Sequence, residues 1–237
     1  MSSQVSEAAQ QLVNSVERVA VVGAGTMGNG IAQVFAQAGC TVLIIDPFEG
    51  ALDRARGTIE NSLGRMVKKE KITAEAAETI LSRITFEAGI EAAAGANWGI
   101  EAVPESEELK EKVISALDAQ IVDGGVIASN TSSISITRLA NYTGRPESFV
   151  GMHFMNPVPM MKLVEVIRGH KSSDTVVEAT LELSRRLGKE PWEAQDYPGF
   201  VANRILAPML NEAVYALMEG VATREAIDEV MKLAMGN

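Results

Sequence analysis

The sequence is poor in thiols and imidazoles. Cys40 is its one cysteine, and His153 and His170 are its two histidines. A single cysteine cannot close an internal disulfide, which suits a reducing cytoplasm. Set between Gly39 and Thr41, Cys40 reads as a small packing residue where a strand begins. No metal site is expected. No apolar run approaches the roughly 20 residues that span a bilayer, so no membrane partner is expected. Met1–Glu17 lacks the basic start and apolar stretch of a secretory signal and reads as a polar leader or a short loose helix. Positive charge is in deficit: 21 Lys and Arg stand against 31 Asp and Glu, a net charge of −10. That balance argues against nucleic acid as a partner. It also makes any local basic cluster conspicuous if the ligand is anionic. Internal repeats and low-complexity tracts are absent.

What remains is ample for a core. The 237 residues are 46% hydrophobic, enough for one large α/β domain plus a small appendage. From Val19 onward, strand and helix patterns alternate, as in a doubly wound, mostly parallel sheet with helices on both faces. Strands are expected at Val19–Val22, Thr41–Ile45, Gly99–Val103, Val126–Ser129, Phe149–Phe154, Leu163–Ile167 and Pro191–Ala194. Helices are expected from Met27 to Ala38, from Glu107 to Gln120 and from Thr175 to Leu187. The polar stretch from Ala51 to Arg83 reads as two helices around Lys71–Thr73. Residues 18–196 form one domain on this reading. Asp196-Tyr197-Pro198-Gly199 marks a boundary, and residues 197–237 are helical. Their apolar stripe (Val201, Ile205, Leu206, Met209, Ala213 and Leu217) is too short to hold a core alone, so it must dock on the first domain or on another subunit.

Gly23-Ala24-Gly25-Thr26-Met27-Gly28 follows the first strand and opens a helix. The G-x-G-x-x-G pattern alone is weak, but here both flanks are right for a dinucleotide site. Gly23 makes the tight turn, Gly25 lets the backbone approach a pyrophosphate, and Gly28 lets the helix pack on the strand. The helix N-terminus then meets the phosphates. Asp46 ends the second strand, where a carboxylate accepts from ribose hydroxyls and repels a 2′-phosphate. No Arg or Lys stands at Pro47 or Phe48, so NAD is favoured over NADP.

Hydride transfer from an alcohol needs a base. His170 lies in a polar turn. His153 lies near the end of an apolar strand, although such a histidine is often a satisfied core residue. Glu165 sits in an otherwise apolar strand, where an ionised carboxylate is costly unless paired. Paired with His153, it would fix one imidazole tautomer; facing outward, it would be a solvated residue. Ser132 and Ser133 follow a buried strand and read either as N-caps or as hydroxyl donors. Asn203 lies in the first turn of the last helical stretch, ahead of a kink expected at Pro208. Arg65, Lys68 and Lys69 form a basic cluster or a solvated helix face.

Gly23–Gly28, Glu101-Ala-Val-Pro-Glu105, Asn130-Thr-Ser-Ser133, Gly151-Met-His-Phe-Met-Asn-Pro-Val-Pro159, Met161-Lys-Leu-Val-Glu-Val166 and Pro198-Gly-Phe-Val-Ala-Asn-Arg204 occur in one order. In that order they resemble the (S)-3-hydroxyacyl-CoA dehydrogenases, the bacterial 3-hydroxybutyryl-CoA dehydrogenases most of all. The resemblance implies an NAD-dependent, cytoplasmic, homodimeric enzyme of acyl-CoA metabolism. It implies His153 as general base, Glu165 as its partner, and Ser132 and Asn203 as ligands of the substrate's 3-oxygen. It implies Ala102, Glu105, Lys110, Ser132 and Asn156 around the nicotinamide half of NAD, and Arg65, Lys68 and Lys69 against coenzyme A. The family usually continues past the equivalent of Met235-Gly236-Asn237 into further helices, which bear on closure and dimerisation. Asn97-Trp98-Gly99 is unusual where an acidic residue and apolar strand residues are common. Two other readings keep the dinucleotide site: a dehydrogenase of a free 3-hydroxy acid, and a non-catalytic NAD-binding relative.

Overall fold

The computed structural model describes residues 5–235. Its centre is an eight-stranded sheet in the order β3-β2-β1-β4-β5-β6-β7-β8. The strands are β1 (Arg18–Val22), β2 (Thr41–Ile45), β3 (Ile84–Glu87), β4 (Trp98–Glu101), β5 (Val126–Ser129), β6 (Phe149–Phe154), β7 (Leu163–Arg168) and β8 (Glu190–Gln195). Every pairing is parallel except β6 with β7. The chain winds outward through β2 and β3, then returns to the other side of β1 at β4. That reversal opens a crevice at the carboxyl ends of β1 and β4.

Both faces of the sheet are covered, and β1 shows how. Val19 and Val21 enter one apolar cluster, Ala20 and Val22 the other, as the twofold period of a strand requires. Helices α2 (Thr26–Gln37), α3 (Glu49–Lys68), α4 (Ala74–Ser82) and α7 (Asp174–Arg186) lie on the first face, and α5 (Glu107–Asp118) and the short α6 (Ile136–Leu139) on the second. Cys40 is buried, and burial raises its thiol pKa, in keeping with a packing residue.

Four features differ from the sequence reading or extend it. β3 was not expected: Ile84-Thr85-Phe86-Glu87 alternates apolar and polar, but the run is only four residues and follows a long polar stretch, and pairing with β2 makes it a strand. The stretch read as a polar leader or a short loose helix is, from Glu7 to Asn14, a helix, α1, but a docked rather than a loose one. Ala9 and Val13 are buried against the α7 side, and Arg186 of α7 donates to the carbonyls of Val13 and Val16. Ser6 caps α1 and also donates to Glu178. Residues 1–4 of that stretch lie outside the described residues. Asn97-Trp98-Gly99 is a packing solution: Trp98 is fully buried, and a Cβ on Gly99 would lie 2.8 Å from Leu117 Cδ2. Finally, α8 (Ala202–Met218), with Pro208 inside it, and α9 (Arg224–Met235) carry no buried residue. Their apolar stripe stays open in the single chain; Ile205 is 65% and Leu233 81% exposed.

Val13→Ala tests the docking of α1. Deleting two buried methyls from a packed site is expected to cost about 1–3 kcal/mol of unfolding free energy. A urea midpoint equal to that of the parent chain would return residues 7–14 to the status of a leader.

Candidate active site

The carboxyl ends of β1, β4, β5 and β6 share one edge of the sheet, because these strands are mutually parallel. The loop after β1 starts with Gly23 at φ +108°, a conformation that side chains rarely adopt. A Cβ there would lie 2.6 Å from the Ala102 carbonyl oxygen, and one on Gly28 would lie 1.7 Å from the carbonyl oxygen of Gly23. Nothing lies within 4 Å of a Cβ on Gly25. Gly25 is the N-cap of α2, whose first turn, beginning with Thr26 and Met27, has neither a side-chain cap nor an acidic residue. The first amides of α2 thus have no side-chain cap, and the space a Cβ at Gly25 would occupy is open, which suits the approach of an anionic group. Asp46 completes the loop: Oδ2 accepts from the Ala24 amide at 2.9 Å, and Oδ1 from the Phe48 amide at 3.0 Å. These residues fit a dinucleotide.

His153 and Glu165 are direct partners across the β6–β7 ladder. Imidazole Nδ1 lies 2.8 Å from Glu165 Oε2, and both side chains are nearly buried. Glu165 Oε1 accepts from the amides of Val201 and Ala202 at 3.0 and 2.9 Å. Burial pushes the Glu165 carboxyl pKa up, but the hydrogen bonds from His153, Ala202 and Val201 outweigh it and hold it lowered. An ionised Glu165 accepts a proton-bearing Nδ1, which leaves Nε2 as the acceptor of the neutral ring. Among the described residues, Nε2 has no hydrogen-bond partner. Phe200 meets the imidazole edge-on, with ring centroids 5.5 Å apart.

Ser132 and Asn203 also come together. Asn203 Nδ2 donates to the Ser132 carbonyl at 3.4 Å. Ser132 is not an N-cap; that role falls to Ser135, which heads α6. Glu105 holds the Ser132 loop in place. Its Oε1 accepts from the amides of Ser132 and Ser133 at 3.0 and 3.1 Å, and from the hydroxyls of Thr131 and Ser133. Burial pushes the Glu105 carboxyl up, but the Thr131 hydroxyl, the Lys110 charge and the Ser133 hydroxyl bring it down to about 2. Lys110 is buried. Its Nζ lies 2.7 Å from Glu101 and 3.2 Å from Glu105.

Sequence reasoning missed several of these partners. Glu101, fully buried at the end of β4, also accepts from Ser129 Oγ at 2.6 Å. A carboxylate in an apolar strand was as legible there as at Glu165. Asp196 accepts from Ser135, Ile136 and Thr137 and so ties the boundary segment to α6.

The basic cluster divides. A cleft of about 330 Å³ beside α2 is lined by Arg65, Lys69 and Lys71, and by residues 156–160 opposite. Lys68 is not among its lining residues, and Lys71, which the sequence did not single out, is. Asn156 is the first residue of this wall, three positions past His153. A larger cavity, about 520 Å³ between α7 and β8, holds none of the candidate residues. Among the described residues, no group of three or more His, Cys, Asp or Glu side chains could hold a metal, and no helix is long and apolar enough to cross a membrane.

Residues 18–197 match the family described as 3-hydroxyacyl-CoA dehydrogenase, NAD binding domain, and residues 199–237 match its C-terminal domain. The chain belongs to the 3-hydroxyacyl-CoA dehydrogenase family. It is 50% identical over 217 residues to a probable 3-hydroxybutyryl-CoA dehydrogenase of Deinococcus radiodurans, covering 92% of this chain and 78% of the relative. It is 48% identical over 218 residues to the 3-hydroxybutyryl-CoA dehydrogenase of Bradyrhizobium diazoefficiens, covering 92% and 74%. The crystal structure of (S)-3-hydroxybutyryl-CoA dehydrogenase from Ralstonia eutropha superimposes with a TM-score of 0.91 at 47% identity, over 94% of this chain and 79% of that one.

The acid stability of the chain tests the Glu105 cluster. With its carboxyl lowered to about 2 from the ordinary 4.5, ionised Glu105 favours the folded state. That contribution is complete above the ordinary value and is lost as pH falls from about 4.5 toward 2. Glu105→Gln is expected to lower the urea midpoint at neutral pH and to flatten its decline in acid. Superimposable acid limbs for the variant and the parent would assign the decline to other carboxylates.

Proposed function

We propose that the chain interconverts a 3-hydroxyacyl-CoA and the 3-oxoacyl-CoA, with NAD as hydride acceptor. The observation that carries this reading is the buried His153–Glu165 pair at the carboxyl edge of a sheet whose first turn fits a dinucleotide. NAD, held by the Gly23–Gly28 loop and Asp46, would supply the acceptor for the hydride from C3. His153 Nε2 takes the hydroxyl proton. Glu165 keeps the proton on Nδ1 and stabilises the imidazolium that forms. Ser132 and Asn203 donate to the 3-oxygen and oppose charge developing there. In the reverse direction the imidazolium returns its proton as the general acid.

Asp46 supports NAD over NADP, because its pinned carboxylate would repel a 2′-phosphate. Ala102, Glu105, Lys110 and Asn156 shape or support the nicotinamide end, Glu105 through the Ser132 loop and Lys110 through Glu105. Arg65 and Lys69 of the cleft, with Lys71, receive the phosphates of coenzyme A; Lys68 adds to the positive field of α3. Residues 18–196 form the NAD-binding unit and residues 197–237 the helical one. The open apolar stripe of α8 and α9 supports a homodimer, and the single buried thiol supports a cytoplasmic site of action. The retained Ser132, His153, Glu165 and Asn203 weigh against a non-catalytic relative.

The test is NADH oxidation with acetoacetyl-CoA beside free acetoacetate. Turnover is expected only with the thioester; equal rates would replace the acyl-CoA by a free acid. His153→Gln is expected to lower turnover roughly 10²- to 10⁴-fold while NADH binding persists. Unchanged turnover would remove His153 from the mechanism.

A further inference from the structure

One buried cation has no role in the mechanism above. Lys189 follows Gly188, which ends α7 at φ +74°. It is 8% exposed. Burial lowers its pKa, and no carboxylate offsets that burial, because neighbouring Glu190 pairs with Lys162 instead. Its Nζ donates to two carbonyls, those of Val158 and Met161.

Those carbonyls belong to the loop that leaves β6 just after His153. Pro157 and Pro159 have no N–H to give. The amides of Met160 and Met161 both turn back to the Pro157 carbonyl. The loop cannot satisfy its own inward carbonyls, and an ammonium supplies several donors from one point. Asn156, Pro157, Val158, Pro159 and Met160 are the wall of the cleft that faces Arg65, Lys69 and Lys71. Val158 also packs so closely on α2 that a Cβ at Gly30 would lie 2.8 Å from its own. The wall is thus held from behind by Lys189 and from the side by α2.

We propose that Lys189 is a positioning residue for substrate affinity: through the carbonyls of Val158 and Met161 it sets the wall against which the nucleotide part of the thioester lies. This rests on the reading of the cleft as the seat of coenzyme A. Lys189 touches no reacting atom, so it acts on binding and leaves the hydride step alone.

Steady-state kinetics on Lys189→Met, with the full chain, separate these effects. The expected result is a KM for acetoacetyl-CoA about tenfold higher, comparable to the net loss of one hydrogen bond, with kcat within about twofold of the parent. A truncated thioester, acetoacetyl-N-acetylcysteamine, lacks the nucleotide and is expected to react equally well with parent and variant. Lys189→Gln keeps a neutral donor on a shorter stem and is expected to lie between them; it is the variant read if Lys189→Met does not fold. Loss of kcat, or an equal loss on both thioesters, would overturn the proposal, as would an unchanged KM. Failure of both variants to fold would make Lys189 a residue of stability and overturn it too. A parent enzyme with no preference for acetoacetyl-CoA over the truncated thioester would instead remove the reading of the cleft, and the proposal with it.

Discussion

Glu165 has two oxygens with separate tasks. One lies against His153 Nδ1, and the other receives the first amides of the C-terminal helical segment, Val201 and Ala202. The carboxylate is almost fully buried, so losing either partner would leave a charged group short of hydrogen bonds in a place that water reaches poorly. The orientation of the imidazole and the point where α8 leaves the sheet are therefore set by one side chain. Asn203, one residue past the clasped amides, reaches the Ser132 loop for the same reason. His153, Glu165, Ser132 and Asn203 thus form a single connected assembly.

A second assembly braces the first. Glu101, Lys110 and Glu105 form a run of opposite charges from the end of β4 to the Ser132 loop. Glu101 and Lys110 are withdrawn from solvent, and each is paired, as a buried charge must be. Glu105 gathers four donors on one oxygen, which explains why its carboxyl stays ionised despite burial. Ser132 is then presented by a loop whose backbone is already fixed, the arrangement that preorganised hydrogen-bond donation requires. In a chain of net charge −10, Arg65, Lys69 and Lys71 still share one cleft, and the α2 N-terminus adds a partial positive charge at the glycine loop.

Periodicity and turn chemistry made much of this readable in advance. The strands at Thr41–Ile45, Val126–Ser129 and Phe149–Phe154 follow from short apolar runs bounded by turn residues, and the glycine loop follows from the spacing of Gly23, Gly25 and Gly28 between a strand and a helix. The misses share a cause. β3 exists because β2 offers it a ladder. Residues 7–14 form a docked helix because α7 offers a surface for Ala9 and Val13. Lys189 bonds to carbonyls some thirty positions earlier in the chain, which no local pattern marks; Lys71 stood beside the basic cluster, and only the fold showed which of those side chains line the cleft.

By itself, the sequence determined the alternation of strands and helices, the dinucleotide turn and the cost of a carboxylate in an apolar strand, because these depend on neighbours within a few positions. It left open whether Glu165 faced water or histidine. The tertiary structure decided that, by reversing β7 against β6. The loop of residues 155–162 is too short for the crossover of a dozen or more residues that parallel strands need. An antiparallel return brings residue 165 opposite residue 153. Register between strands, a property of the ladder rather than of either segment, turned two buried polar residues into a hydrogen-bonded imidazole–carboxylate pair.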